Sequence, residues 1–318
     1  MNDTNSITHV GVDISKETLD CWKPAPKNDR GAFASFPNTK AGVAALLRWL
    51  PHDAHLAAEA TGGYERLLRA AAHGSATRFS LLNPASVRSF ARAQGLRAKT
   101  DRLDSELIAR HARALNPPPE PKPDPRLLEL DELCTLRQSL VEERKASLCR
   151  LAQASHPCAR LSLKALLKAF DSQIASLERQ IDSLCASSAG ISQTRKTLMT
   201  LPGVGKVISA AIIAWLPELG SLSRKQVAAL VGLAPYANES GKKKGRRSIR
   251  GGRAKLRCTL YMAAVSIART KSCLNAQYNS LRDRGKPVKV ARIAILRKLL
   301  IRANTICKPL SSFSYASA

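Results

Sequence analysis

Four acidic residues stand where carboxylates do chemistry. Asp13 closes the apolar run HVGVDIS, Glu59 closes LAAEA just before a Thr-Gly-Gly turn, and Asp101 and Asp104 open the stretch DRLDSELIARHARAL. A spacing of three puts the last two on one helix face, where like charges cost roughly a few tenths of a kcal/mol unless a cation sits between them. All-oxygen ligands suit a hard divalent cation. Two such cations can activate an oxygen nucleophile and stabilise a leaving oxygen in phosphoryl transfer. Each residue also has a plainer reading: Asp101 after Thr100 complements the positive end of a helix, and Asp13 at a strand end can be a polar cap.

The elements that must position these groups are readable from the pattern. HVGVDIS, LDCWKPA and AFASF read as three consecutive strands, LAAEA and FSLLN as two more, with helical segments between and after them. That order predicts a mixed α/β sheet with helices on its faces. Proline density in NPPPEPKPDP (116–125) forbids helix or central strand and marks a domain boundary. Helical patterns follow over 126–155 and after the His-Pro step at 156–157. In the second, Leu163, Leu167, Phe170, Ile174, Leu177, Ile181 and Leu184 alternate steps of four and three, a heptad seam that predicts an antiparallel or intermolecular coiled coil and a homo-oligomer, dimer or tetramer. An ordinary amphipathic helix packed on a core is the plainer alternative. The expected domains are 1–118, 119–189 and 190–318, the last mostly helical.

Charge sets the partner. The 318 residues carry 51 Lys and Arg against 24 Asp and Glu, a formal +27, far beyond what solubility requires and costly in self-repulsion. Nucleic acid is the natural polyanion. The densest run is NESGKKKGRRSIRGGRAKLR (238–257), with Lys242, Lys243, Lys244, Arg246, Arg247, Arg250, Arg253, Lys255 and Arg257. It is expected to contact a polyanion or to stay disordered, since such charge cannot pack against itself. LPGVGKV (201–207) has the Gly-x-Gly turn of a helix-hairpin-helix element, in which Gly203, Gly205 and the helix start after them can hold a phosphate; a simple helix–helix turn fits equally well. The eight cysteines form no CxxC pair and no zinc-ligand spacing, so reduced thiols in a cytoplasmic protein are expected. No run reaches the length of a membrane span, and no membrane association is expected.

With these motifs in order, the chain resembles the DEDD transposases of the insertion-sequence 110/1111 type. GVDISKETLD (11–20), EATGGY (59–64), LNPASVRSFARAQGLRAKTDRLDSELIA (82–109), LPGVG, GLAPYANESG (232–241), GRRSIRGGRAKLRCTLYMAA (245–264) and RGKPVKVARIAILRKLL (284–300) carry the resemblance over nearly the whole chain. It implies an N-terminal RuvC/RNase H-like domain whose Asp13, Glu59, Asp101 and Asp104 bind Mg2+. It also implies a C-terminal transposase domain with a nucleophilic serine, matched by Ser240, that must reach the carboxylates from another domain or subunit. The implied reaction is DNA strand cleavage and exchange, guided in better-known members by a noncoding bridge RNA. Ser105 stands where alanine is usual, and IRGGRAKLR departs from the pattern of one branch, which places this chain nearer the 1111 type and makes RNA guidance an analogy. By itself a Ser-Gly step in a basic loop is an ordinary turn, and a serine hydroxyl needs a base, a metal or a cationic field to attack. The alternative is a metal-dependent nuclease or junction resolvase of the same fold, with water as nucleophile and Ser240 structural.

Overall fold

The structure, a computed structural model, describes residues 7–25, 28–96, 100–236, 239–240, 243–245 and 247–314. It divides into two compact units, residues 1–122 and 123–318.

The first unit is built on a five-stranded mixed sheet of β1 (Thr8–Ile14), β2 (Thr18–Ala25), β3 (Asn28–Pro37), β4 (Ala54–Glu59) and β5 (Arg78–Leu82), in the order β3-β2-β1-β4-β5. Strands β1, β2 and β3 form an antiparallel meander, and β4 and β5 run parallel to β1. The five strands are those expected, and the mixed sheet agrees with the implied fold. Alternation sorts the residues between two faces. Val10, Val12, Leu56 and Ala58 face α1 (Lys40–Trp49) and α2 (Arg66–Gly74), burying against Val43, Leu46, Leu68 and Ala72. Ala57 and Leu82 face α3 (Pro84–Ala93) and α4 (Asp101–Leu115), against Val87, Ile108 and Ala112.

Gly11 shows why α4 lies where it does. A Cβ at that position would stand 2.0 Å from the Ser105 carbonyl oxygen and 2.5 Å from the Ala109 amide nitrogen. Only glycine lets the helix backbone rest directly on β1. After α4 the proline-rich stretch stays with the sheet: the Glu120 amide donates to the Phe79 carbonyl at 2.7 Å, and Arg69 grips the Glu120 carboxylate through two nitrogens at 2.6 and 2.8 Å.

The second unit is helical. Helices α5 (Pro125–Gln153) and α6 (Pro157–Ala186) form an antiparallel hairpin, tied by Arg137–Glu178 and Arg144–Asp171. Along the expected seam Leu167, Leu177 and Ile181 are buried, and Leu163, Phe170, Ile174 and Leu184 are half-buried. Among the described residues six further helices follow: α7 (Ala189–Met199), α8 (Lys206–Trp215), α9 (Arg224–Leu230), α10 (Ala254–Ile267), α11 (Cys273–Asp283) and α12 (Val288–Ser314). Their shared core gathers Leu130, Ile181, Leu198, Ile212, Leu216, Leu256, Leu260, Leu296 and Leu299. At the Gly-x-Gly turn a Cβ on Gly203, whose φ is +76°, would meet the Ala263 carbonyl oxygen at 2.8 Å, so this glycine seats the α7–α8 turn on α10. Gly205 lies exposed at the start of α8.

The basic run between α9 and α10 is not the structureless loop that its charge suggests. Four two-residue strands, β6 (Pro235–Tyr236), β7 (Glu239–Ser240), β8 (Lys243–Lys244) and β9 (Ser248–Ile249), pair as β6 with β9 and β7 with β8, both antiparallel. Backbone pairing needs no apolar face, and it holds the chain in a ribbon in spite of the charge. The ribbon stands on glycines in close contact. A Cβ on Gly252 would lie 2.3 Å from the Gly232 nitrogen, and one on Gly232 would lie 2.2 Å from the Gly251 carbonyl oxygen.

Candidate active site

Register and packing bring the four predicted carboxylates to one end of the sheet. Val12 pairs with Ala58 across the parallel β1–β4 ladder, so the next residues along, Asp13 and Glu59, lie side by side on neighbouring strands. Period-two alternation from Gly11 and Ala57 puts both on the α4 face. Helix α4 runs antiparallel to β1: Ser105 and Ala109 lie over Gly11, while Arg113, nearer the helix end, acts electrostatically on His9 at the start of the strand. The first turn, with Asp101 and Asp104, therefore points to the Asp13 end. Thr100 caps that turn by accepting from the Leu103 amide, and the two acids complement the positive helix end. Asp13, Glu59 and Asp104 are half-buried and Asp101 is exposed.

One residue at this end was not singled out from the sequence. Asp20 pairs directly with Asp13 across the β1–β2 ladder and lies on the same face, 7% exposed, with the Thr18 hydroxyl donating to it at 3.0 Å. The signal was the hairpin itself, because a tight turn between two strands fixes which residues oppose. Asn38 is a second. Its Nδ2 donates to the Ser15 carbonyl at 3.0 Å and to the Tyr64 carbonyl at 3.2 Å, fastening the turn after β1 to the loop after β4. In that loop Gly62 and Gly63 have φ of +76° and +123°. Glu65 closes it, accepting from the Thr61 and Gly63 amides and the Thr61 hydroxyl. Burial works to raise the Glu65 pKa, but these donors outweigh it and hold the carboxyl below its ordinary range.

The donors at this end are all carboxylate oxygens, which fits a hard divalent cation; histidines lie at the opposite end of the sheet. Among the described residues no three His, Cys, Asp or Glu side chains are gathered into a ready metal cage. The carboxylates share an end and a face without already closing on a common point.

The nine cations predicted to bind nucleic acid are not alike. Arg253 donates to both oxygens of Glu218 and to the Trp215 carbonyl. Burial works to raise the Glu218 pKa, and the Arg253 hydrogen bonds overcome it and hold it low. Lys255 lies over the Trp215 ring and bonds Thr135 and Asp131. Arg257 donates to the Val231 and Gly251 carbonyls. These three brace the base of the ribbon. Arg250 is exposed against the Tyr236 ring, and Arg247 is exposed. Lys243 and Lys244 lie on β8, with Lys243 opposite Ser240. Lys242 and Arg246 fall outside the described residues.

A mixed sheet that carries acids at one end and a strongly basic helical unit define a class of proteins that handle nucleic acids. Comparison with known proteins is more specific. A family model for transposases, the DEDD type of IS110 elements, matches residues 10–154, and the model of the transposase IS116/IS110/IS902 family matches residues 195–279. The chain is also similar to a pilin gene-inverting protein of Moraxella bovis, 29% identical over 93% of this chain and 94% of the relative. A pilin gene-inverting protein of Moraxella lacunata is similar at the same identity and coverage. The chain belongs to the IS110-type transposase family and is a DNA recombination enzyme. Among the described residues no helix is long and apolar enough to cross a membrane.

Proposed function

We propose that this transposase cuts and rejoins DNA with a Mg2+-dependent carboxylate site, Asp13, Glu59, Asp101 and Asp104, and a serine nucleophile, Ser240. The observation that carries the reading is the antiparallel seating of α4 on β1 at Gly11, which sends both helix acids to the end where Asp13 and Glu59 stand. A divalent cation bound by these oxygens would supply charge stabilisation at the phosphate. The Ser240 oxygen forms a bond to phosphorus while the bond from phosphorus to the leaving sugar oxygen breaks. The serine proton passes to that oxygen, and the phosphodiester energy is kept for rejoining. Lys243 opposite Ser240, with the other ribbon cations, supplies the cationic field that a weak hydroxyl nucleophile needs.

The reading extends to partners. The ribbon, with Gly203 and Gly205 at the α7–α8 turn, contacts DNA; an element-encoded noncoding RNA guides target choice; and the α5–α6 hairpin mediates homo-oligomerisation as a coiled coil. Leu148, Leu161 and Leu166, all exposed on that hairpin, support the last point. The protein works in the cytoplasm, where the DNA is. Inversion of a DNA segment, the activity named for the Moraxella relatives, is one outcome of such exchange.

Purified protein with nicked or junction DNA and Mg2+ is expected to give a covalent protein–DNA adduct that Ser240→Ala abolishes. Cleavage without an adduct, unchanged by that substitution, would instead establish water as the nucleophile.

A further inference from the structure

Charge is distributed very unevenly along the helical unit. Residues 123–218 hold 12 lysines and arginines against ten acids, whereas residues 219–318 hold 22 against two, Glu239 and Asp283, a formal +20. In the first stretch cations meet carboxylates, as in Arg137–Glu178, Arg144–Asp171 and Arg195–Asp182–Lys206. On and beside α11 and α12 five cations bond neutral groups. Lys298 donates to Gln277 at 2.7 Å, Arg302 to the Cys273 sulfur at 3.0 Å, Arg292 to the Tyr261 hydroxyl at 3.1 Å, Arg284 to the Ser280 carbonyl and Arg282 to the Lys286 carbonyl.

Neutral acceptors orient a cation without cancelling its charge. The Lys298–Gln277 and Arg302–Cys273 pairs show that α11 and α12 are antiparallel, with Arg282, Arg284, Lys286 and Lys289 exposed around their connecting turn. Lys298 and Arg302, four residues apart, share the side of α12 that meets α11, and the exposed cations of the turn continue that charge at the end of the hairpin. We propose that the α11–α12 hairpin is a second DNA-docking surface, separate from the ribbon, that holds the duplex through its phosphate backbone irrespective of sequence. Like charges gathered on one hairpin cost self-repulsion, and counterion release on binding DNA offsets that cost. The proposal rests on the DNA-handling reading above but not on its chemistry.

The test measures binding of full-length protein to a short duplex in EDTA over a range of salt, for the unmodified chain and the triple variant Lys286→Gln, Lys289→Gln, Lys298→Gln. The variant is expected to bind at least about tenfold more weakly, with a log–log salt slope flatter by about 0.9 for each phosphate that is no longer neutralised. Cys273 gives a second readout: it is exposed on this surface, as Cys149 and Cys158 are on the α5–α6 hairpin. Bound DNA should protect Cys273 from alkylation while Cys149 and Cys158 still react, a result that stands even where the triple variant folds poorly. An unchanged slope together with an unprotected Cys273 would overturn the proposal. So would loss of structured-RNA binding with duplex binding intact, which would make the hairpin an RNA surface. Because the measurement reads binding and not strand cleavage, failure of the serine or metal chemistry leaves this result untouched, and the reverse holds.

Discussion

The two ends of the five-stranded sheet are built from the same three elements, yet their titratable groups have opposite fates. Strand β1 carries His9 at one end and Asp13 at the other; β4 carries His55 and Glu59; α4 carries His111 and Arg113 opposite Asp104 and Asp101. At the histidine end the three imidazole rings are buried. His55 is 2% exposed, stacks near His9 with ring centroids 5.1 Å apart, and bonds the Ser80 hydroxyl, which in turn donates to the Pro118 carbonyl. Burial, with His9 and Arg78 adding to it, lowers its pKa to about 4, so the ring packs as a neutral group. At the carboxylate end most of the groups keep contact with water. Burial, more than residue type, separates a packing end from a chemical one.

The largest effect that would sharpen this contrast is catalytic. Asp13→Asn or Glu59→Gln is expected to lower strand transfer by about 10²–10³-fold, the scale of losing one preorganised electrostatic group at a reaction centre. Mg2+ should raise the melting temperature of the unmodified protein and much less that of the variants. Variants that keep full strand transfer would show that this end of the sheet is not the chemical one. Next in size is Gly11→Ala, which strikes both ends. Its Cβ would collide with helix backbone that cannot rotate away, and overpacking of this kind costs about 3 kcal/mol or more. Urea titration should show that loss; a change under about 1 kcal/mol would mean that α4 is not clamped to β1.

The histidine end sets a pH dependence of similar size. Because the His55 pKa is about 4 folded and near 6.5 unfolded, the unfolded chain takes up its proton first as pH falls. Stability is full above about pH 6.5 and declines toward pH 4, by up to about 3 kcal/mol from this residue alone. His9, His73 and His111 are all shifted downward, chiefly by burial, and act in the same direction. Denaturant midpoints at pH 7 and pH 5 should differ accordingly, and His55→Gln should flatten the difference.

How much of this was readable in the sequence follows from range. The five strands and the position of Asp13 and Glu59 at strand ends depend on local alternation, and the sequence displays that directly. That Asp101 and Asp104 meet the same end depends on the direction of α4, which a single glycine on β1 permits and no local pattern announces. The internal roles of Arg253 and Lys255 depend on Glu218 and Asp131, the latter more than a hundred residues away in the chain. A dense basic run therefore concealed three structural cations. The ribbon was missed because backbone pairing between short, charged segments leaves no apolar periodicity to find.

Asp20 gives the smallest effect and the finest test of the contrast, because it is buried at the end where the other acids stay in contact with water. It is buried like the histidines but stands among the carboxylates, opposite Asp13. Like charges directly across a ladder destabilise by roughly 0.2–1 kcal/mol. Asparagine keeps the shape and can still accept the Thr18 hydroxyl bond. If Asp20 belongs to the chemical end, Asp20→Asn should stabilise the metal-free protein by a few tenths of a kcal/mol, up to roughly 1. The same change should weaken Mg2+ binding by about tenfold or more, as loss of an outer-shell carboxylate does. Calorimetry in EDTA and a Mg2+ titration followed by melting temperature measure the two. A metal-free protein that melts lower, with Mg2+ affinity unchanged, would assign Asp20 to the packing end and would move the boundary between the two ends to lie between residues that face each other across one ladder.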